Sequence, residues 1–434
     1  MNVSALVVVA ATLFGWGLVS KRLARADLTA PIVFIVVGAA LTWTGLIEGP
    51  EEPAALTPLV EITLVWVLFS DAARLPMREL RQDVGRYLRL LAVGLPLTVL
   101  LGWGLAAWFW PGLGLWLALF VGAALAPTDA ALGIPVVTNP VVPSRIRQLI
   151  TVESGLNDGI ATPVVMVAIA GAAAAAGLEG HEGAGHAVVQ LLLGVVVGSA
   201  VGAAGGWLLR LARRHDLAAE DFMGIAVLAL GLLAYAAALA LAGNGFVAAF
   251  CGGLAFGACA GRRGPEELVF LEQTGALVSA LVWLAFGAIA VPIMFEGIDP
   301  LMLVYAVLSL TVVRMLPVAL SLIGSGLDRR TVLFVGWFGP RGLASLVFAL
   351  LALEALGPVS DEAVAVVTVT VLVSVVAHGL SAAPLAGRYG RSVAGAGPEP
   401  GGPVEVIELR PAAAALSRAT RAADETTRAR VARG

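Results

Sequence analysis

Three short stretches place ionisable or oxygen-bearing side chains inside long apolar runs. Ala126-Pro127-Thr128-Asp129 interrupts one run, Glu153-Ser154-Gly155-Leu156-Asn157-Asp158 lies within a second, and Gly339-Pro340-Arg341-Gly342 interrupts a third. A proline inside a helix removes a backbone donor and clashes with the preceding turn, so the first and third stretches predict broken helices. In the second, helical spacing stacks Ser154 over Asp158 and Glu153 over Asn157 on adjoining faces, putting two carboxylates and two neutral oxygen donors within two turns. Asp129, Asp158, the Ser154 hydroxyl and carbonyls freed near Thr128 form an all-oxygen set of the kind a hard cation such as sodium prefers. A carboxylate held out of water beside a second one also binds protons, so the two ligands compete for the same oxygens.

The elements that must position these groups are membrane helices. With 59% hydrophobic and 13% charged residues, the chain carries far more apolar surface than one soluble core uses. Crossing the hydrocarbon layer takes about 20 mostly apolar residues. Such runs recur at 3–20, 28–47, 55–75, 88–110, 113–137, 148–176, 186–209, 222–242, 244–261, 268–293, 300–323, 331–354 and 362–386. The expectation is an all-α polytopic membrane protein with thirteen transmembrane helices, a membrane domain over 1–387 and a flexible cytoplasmic tail over 388–434. In that tail Val404–Leu409 has a strand-like pattern and an Ala-rich stretch starts at Ala412. The first run reads as a retained span rather than a cleaved signal, because Lys21, Arg22 and Arg25 follow it and no charge precedes it.

Charge is sorted by loop. Loops after odd spans carry Lys21/Arg22/Arg25, Arg74/Arg78/Arg81/Arg86, Arg145/Arg147, Arg210/Arg213/Arg214, Arg262/Arg263, Arg329/Arg330 and Arg388/Arg391. Loops after even spans carry Glu48/Glu51/Glu52, Glu179/Glu182, Glu296/Asp299 and Asp361/Glu362, or no charge at all, and never Lys or Arg. Basic loops remain cytoplasmic, so the N-terminus is expected outside and the C-terminus inside a bacterial inner (plasma) membrane. This sorting speaks against nucleic-acid binding. Cys251 and Cys259, on one apolar segment, read as small packing residues.

Spans five and twelve lie an odd number of crossings apart and therefore run in opposite directions, and each has a mid-span proline beside one charge. Interrupted segments at corresponding places in two inverted halves mark the substrate site of secondary transporters, which predicts crossed, discontinuous helices 5 and 12. If cation and proton cannot bind together, and the empty site crosses poorly, competition alone couples their movements. Arg341 is expected to neutralise Glu153, leaving Asp158 as the exchangeable carboxylate. Asp71, toward the cytoplasmic end of span three, either lines an access funnel or sits at the interface. Arg314, mid-span, needs an acidic partner and serves either as a structural tie or as a charge near Asp158. Glu61, Glu272 and Gln273 lie nearer span ends, and His378 reads as a packing residue rather than a pH sensor. Gly and Ala stripes of spans seven and nine predict close helix contact. A carrier of organic anions is the rival, and it requires Arg341 unpaired. An intramembrane enzyme lacks a metal-spaced His pair or a Ser/His arrangement.

These stretches, with Arg314 and the acid after Leu68-Phe69, resemble the monovalent cation:proton antiporter-1 family, the sodium/proton exchangers of bacteria and animals, through nearly all the spans. The resemblance implies a dimerisation domain and a mobile core domain, a homodimer, and exchange of sodium, or alternatively lithium or potassium, for protons by alternating access, with no cofactor. It makes Asp158 the ion- and proton-binding carboxylate, Asp129, Ser154 and the Thr128 backbone further ligands, Asp71 a water-linked ligand, and Glu153 with Arg341 the supporting ion pair. Asn157 matches the electroneutral branch, which implies one proton per cation. Asp71 is shorter than the glutamate common near that position.

Overall fold

The computed structural model describes residues 3–24, 28–45, 57–75, 77–130, 132–178, 183–261, 265–296 and 299–393. Glu48, Glu51, Glu52, Arg25, Glu179, Glu182, Arg262, Arg263 and the tail segments at Val404–Leu409 and Ala412 lie outside the described residues. Helix occupies each of the thirteen apolar windows. In order these are α1 (Val3–Ala24), α2 (Ala30–Trp43), α3 (Thr57–Ala73), α4 (Met77–Arg89), α5 (Leu95–Phe109), α6 (Gly114–Ala124), α7 (Ile134–Val137), α8 (Ser144–Ala175) and α9 (Gly183–Arg214). There follow α10 (Glu220–Ala240), α11 (Gly245–Cys259), α12 (Pro265–Glu296), α13 (Pro300–Leu310), α14 (Val312–Ser321), α15 (Arg329–Trp337), α16 (Leu343–Leu356) and α17 (Asp361–Val393). No strand occurs among the described residues, and eight stretches among them are long and apolar enough to cross a membrane by length and composition.

Windows five and twelve break where the prolines predict. The chain leaves helix between α6 and α7, around Pro127, and again between α15 and α16, around Pro340. Two further irregularities have no counterpart in the sequence reading. A π-helical turn at Leu90–Gly94 joins α4 to α5, and Thr311 (φ −102°, ψ −86°) separates α13 from α14. Helix α17 runs to Val393, past the expected end at 386, with Pro384 inside it.

Side-chain contacts divide the loops into two sets. Asp83 binds Arg145, Arg86 donates to the Ser325 carbonyl at 3.0 Å, Arg74 pairs with Glu272 at 3.1 Å, Arg213 reaches the Ala260 carbonyl, and Thr331 meets Tyr389 at 2.8 Å. Those contacts gather the connections after windows three, five, seven, nine and eleven, with the end of α17, on one face. Thr42 to the Ala288 carbonyl (2.7 Å), the Asn244 amide to the Gln190 carbonyl (2.8 Å) and Trp110 against Tyr305 (5.5 Å between rings) each join regions next to two even-numbered connections. The set rich in arginine is therefore separate from the set without it.

Close packing between helices rests on glycine. A Cβ on Gly194, Gly198, Gly202 or Gly206 would lie 2.5, 2.2, 2.0 or 3.1 Å from a carbonyl oxygen of Asn244, Ala248, Gly252 or Phe256, so two four-residue repeats on α9 and α11 interlock along their length. Gly253 likewise admits the Phe69 carbonyl of α3, while Gly38 and Gly287 bring α2 and α12 into backbone contact. The stripes expected to form helix contacts do so, and with no water to expel from between helices in lipid, close backbone packing supplies much of the attraction. Gly202→Val should force α9 from α11 at a cost of about 1–3 kcal/mol or more. The expected outcome is a lower melting temperature of detergent-purified protein by fluorescence-detected gel filtration; an unchanged value would contradict the interlocked packing.

Candidate functional site

The two breaks face each other, and each supplies what the other lacks. Helix α6 ends at Ala124 with carbonyls pointing into the gap, and the buried guanidinium of Arg341 donates through Nη1 to the Ala126 and Pro127 carbonyls at 2.8 and 3.2 Å. Helix α16 begins at Leu343 with no side-chain cap from its own N-cap residue, Gly342; the Asp129 carboxylate accepts from the Leu343 amide at 3.1 Å instead. The Asp129 amide donates to the Pro340 carbonyl at 2.8 Å, and Ser345 Oγ to the Ala124 carbonyl at 2.7 Å. A cation at a helix C-terminus and an anion at a helix N-terminus are each favourable, and here Arg341 is fully buried and Asp129 half-buried. Gly342 explains the narrow fit: a Cβ there would stand 2.1 Å from Asp129 Oδ2.

Helix α8 runs alongside this junction and carries the acidic stretch. Thr128 Oγ1 accepts from Asn157 Nδ2 at 2.7 Å and lies 3.0 Å from Ser154 Oγ, so the three neutral oxygen-bearing side chains named in the sequence form one buried cluster. Asp71, on α3, packs against the turn below: a Cβ on Gly155 would touch its backbone and side chain at 3.8 Å. Asp158 is 8% exposed, and the charges acting on it are Asp129 and Asp71. Among the described residues nothing donates a hydrogen bond to its carboxylate.

The expected ion pair is corrected. Glu153, 3% exposed, is held by Arg314 rather than by Arg341, through a two-pronged contact with Nη1–Oε1 at 2.6 Å and Nη2–Oε2 at 2.8 Å. Arg341 instead turns Nη1 to the Ala126 and Pro127 carbonyls, its Nε and Nη2 having no hydrogen-bond partner among the described residues, while the fork of Arg314 matches a carboxylate bidentately. Arg314 stands in the first turn of α14, directly after the break at Thr311, and this break has no proline or glycine to announce it. Gly339 gives the room: a Cβ on it would meet Arg314 Nε at 2.4 Å and the Thr128 side chain at 2.9 Å. Arg314 is thus the acidic-partnered tie that one of its two sequence readings anticipated.

Comparison with known proteins bears on family and fold. The family described as "Sodium/hydrogen exchanger, transmembrane" matches residues 8–387. The chain belongs to that family. The exchanger-family chain is 28% identical over 379 residues to the K(+)/H(+) antiporter NhaP of Alkalimonas amylolytica, covering 85% of this chain and 63% of that protein. It is 25% identical over 376 residues to the K(+)/H(+) antiporter NhaP2 of Shewanella sp. (strain MR-4). It therefore spans about 63% of the length of these curated relatives. In fold it is similar to the sodium proton antiporter MjNhaP1 of Methanocaldococcus jannaschii at pH 8, with a TM-score of 0.69 at 20% identity, over 89% of this chain and 99% of that one. The resemblance read from the motifs holds.

Removing one member of a buried ion pair costs about 3–5 kcal/mol, because the other is left without a partner. Glu153→Gln and Arg314→Gln should each lower the folded yield and thermal stability of this exchanger-family protein sharply. The exchange of charges, Glu153→Arg with Arg314→Glu, should recover part of the loss, whereas Glu153→Arg with Arg341→Glu should not. Recovery only in the second combination would refute the assignment of Arg314.

Proposed function

We propose that the chain exchanges a monovalent cation for a proton across the plasma membrane, electroneutrally and by alternating access. The observation that carries this is the state of Asp158, a nearly buried carboxylate with no hydrogen-bond donor from the described protein, beside a hydroxyl and amide cluster. Its neighbours are spoken for: Glu153 by Arg314, Asp129 by the start of α16, and Arg341 by the end of α6. A carboxylate in that position attracts a proton or a small cation, and either one neutralises it.

In this reading Asp158 is the exchanged site, with Asp129, Ser154, Thr128 and Asn157 completing or orienting the cation's oxygen shell and Asp71 on the approach. Glu153 and Arg314 fix α8 against α14. Thirteen crossings place the arginine-rich face in the cytoplasm, with the N-terminus outside, and two copies form a homodimer through a scaffold against which the core moves. Because family relatives are named for potassium and for sodium, both cations are candidates. The organic-anion carrier is disfavoured by the three acids, Asp158, Asp129 and Asp71, around the centre.

The test is dequenching of a pH-sensitive dye in everted vesicles on addition of sodium, potassium or lithium. Asp158→Asn should abolish the response. Asp129→Asn separates charge from capping, since an asparagine oxygen still accepts from the Leu343 amide; it should leave the protein folded and exchange strongly reduced. Full activity in Asp158→Asn would sink the mechanism. In proteoliposomes, collapsing the membrane potential should leave the exchange rate unchanged, and clear acceleration would rule out one-for-one exchange.

A further inference from the structure

Three polar side chains on α17, Ser374, His378 and Ser381, recur at positions i, i+4 and i+7 and so share one face of an otherwise apolar stretch. All three meet the window-twelve break, on both of its sides. On the α15 side, His378 Nε2 lies 2.8 Å from the Trp337 carbonyl, the last residue of that helix, and the imidazole stacks on the Trp337 indole with centroids 5.1 Å apart. Trp337 Nε1 in turn donates to Ser381 Oγ at 3.0 Å. On the α16 side, the Arg341 amide donates to Ser374 Oγ at 2.7 Å, and Ser374 Oγ lies 3.2 Å from His378 Nδ1, which is also 2.9 Å from the Ser374 carbonyl. Each ring nitrogen thus faces a carbonyl, which only accepts, so a neutral imidazole donates to one of the two and meets the other through its bare nitrogen.

We infer that His378, acting with Ser374, is a positioning residue for the exchange site: it splints the two ends of the broken helix and so fixes where Arg341 stands. The inference rests on the exchange reading given above. The chain of contact is short. Residues 337 and 341 flank Gly339 and Pro340, and if the gap between them widens, the Arg341 guanidinium leaves the Ala126 and Pro127 carbonyls next to Thr128, and the Pro340 carbonyl leaves the Asp129 amide. Both losses fall on ligands of the proposed cation. His378 itself is 1% exposed and touches none of those ligands, so its effect is through the break alone. His378 meets the Trp337 carbonyl and Ser374 holds the Arg341 amide, and the two side chains meet each other, which residues that only filled space would not do.

Two readouts on purified full chain separate this from packing. Hydrogen–deuterium exchange of peptides spanning 337–343 in detergent should accelerate in His378→Ala and much less in His378→Gln, whose terminal amide still reaches the Trp337 carbonyl. In proteoliposomes, the sodium or potassium concentration for half-maximal exchange should rise about tenfold in His378→Ala, the order of one lost buried hydrogen bond, and return to within a few-fold of wild type in His378→Gln. Ser374→Ala should raise it as well. Val371→Ala, a cavity at a buried site on the same helix, should leave it unchanged. Unaltered backbone exchange in His378→Ala, an unaltered half-maximal concentration, or an equal effect from Val371→Ala would each overturn the assignment. A wild type that exchanges no cation would instead overturn the exchange reading, and the deuterium data would then show only whether the splint exists.

Discussion

A helix that stops inside a low-dielectric layer exposes unpaired amides at one end or unpaired carbonyls at the other, and neither can turn to water. Two helices here stop at the same level, one presenting carbonyls and the other presenting amides. Arg341 belongs to the chain of the second break but serves the carbonyls of the first, and Asp129 belongs to the first but serves the amides of the second. Neither break is tolerable alone. Their juxtaposition fixes the position of α8, because Thr128 sits between the break and the Ser154 and Asn157 side chains. It also fixes glycine at 339 and 342, the two places where a side chain would strike Arg314 or Asp129.

A different physics holds the rest. Where α9 meets α11, and α2 meets α12, hydrogen bonds such as Arg213 to Ala260, Asn244 to Gln190 and Thr42 to Ala288 stand near the helix ends, and between them backbones are brought together at glycines. Dispersion at that distance is dense and insensitive to protonation. The breaks, by contrast, are held by charge-assisted hydrogen bonds whose strength changes with any charge that arrives nearby. Under the proposed exchange this division assigns stiffness to one set of helices and responsiveness to another, and both are present without any change of covalent structure.

Much of this was legible in the sequence. Prolines 127 and 340 announced the breaks because their missing amides act locally, and the four-residue glycine repeat of α9 announced its contact because helical periodicity is local too. The sorting of arginines between alternate loops was likewise enough to divide the connections into the two sets that the contacts show. The partner of Glu153 was not legible. Choosing Arg314 over Arg341 depends on a break at Thr311 that no residue type signals, and on a rival acceptor, the carbonyls of Ala126 and Pro127, that exists only once both breaks are folded together. His378 shows the same limit: its spacing with Ser374 marks a polar face, but only the fold shows that the face spans a gap.

The pairing of Glu153 with Arg314 bears on coupling. Around the junction Glu153 and Arg314 neutralise each other, Arg341 and Asp129 serve the two helix ends, and Asp158 has Asp129 and Asp71 as its charged neighbours. A single monovalent cation neutralises the Asp158 carboxylate, and so does a single proton. Both together would leave a positive charge in a layer where each uncompensated charge costs at least about 2.5–3.5 kcal/mol, and neither would leave a negative one. The two singly loaded states are therefore the ones that can cross. Under the proposed exchange, one-for-one coupling then rests on competition at this single carboxylate, with Asn157 contributing by being neutral.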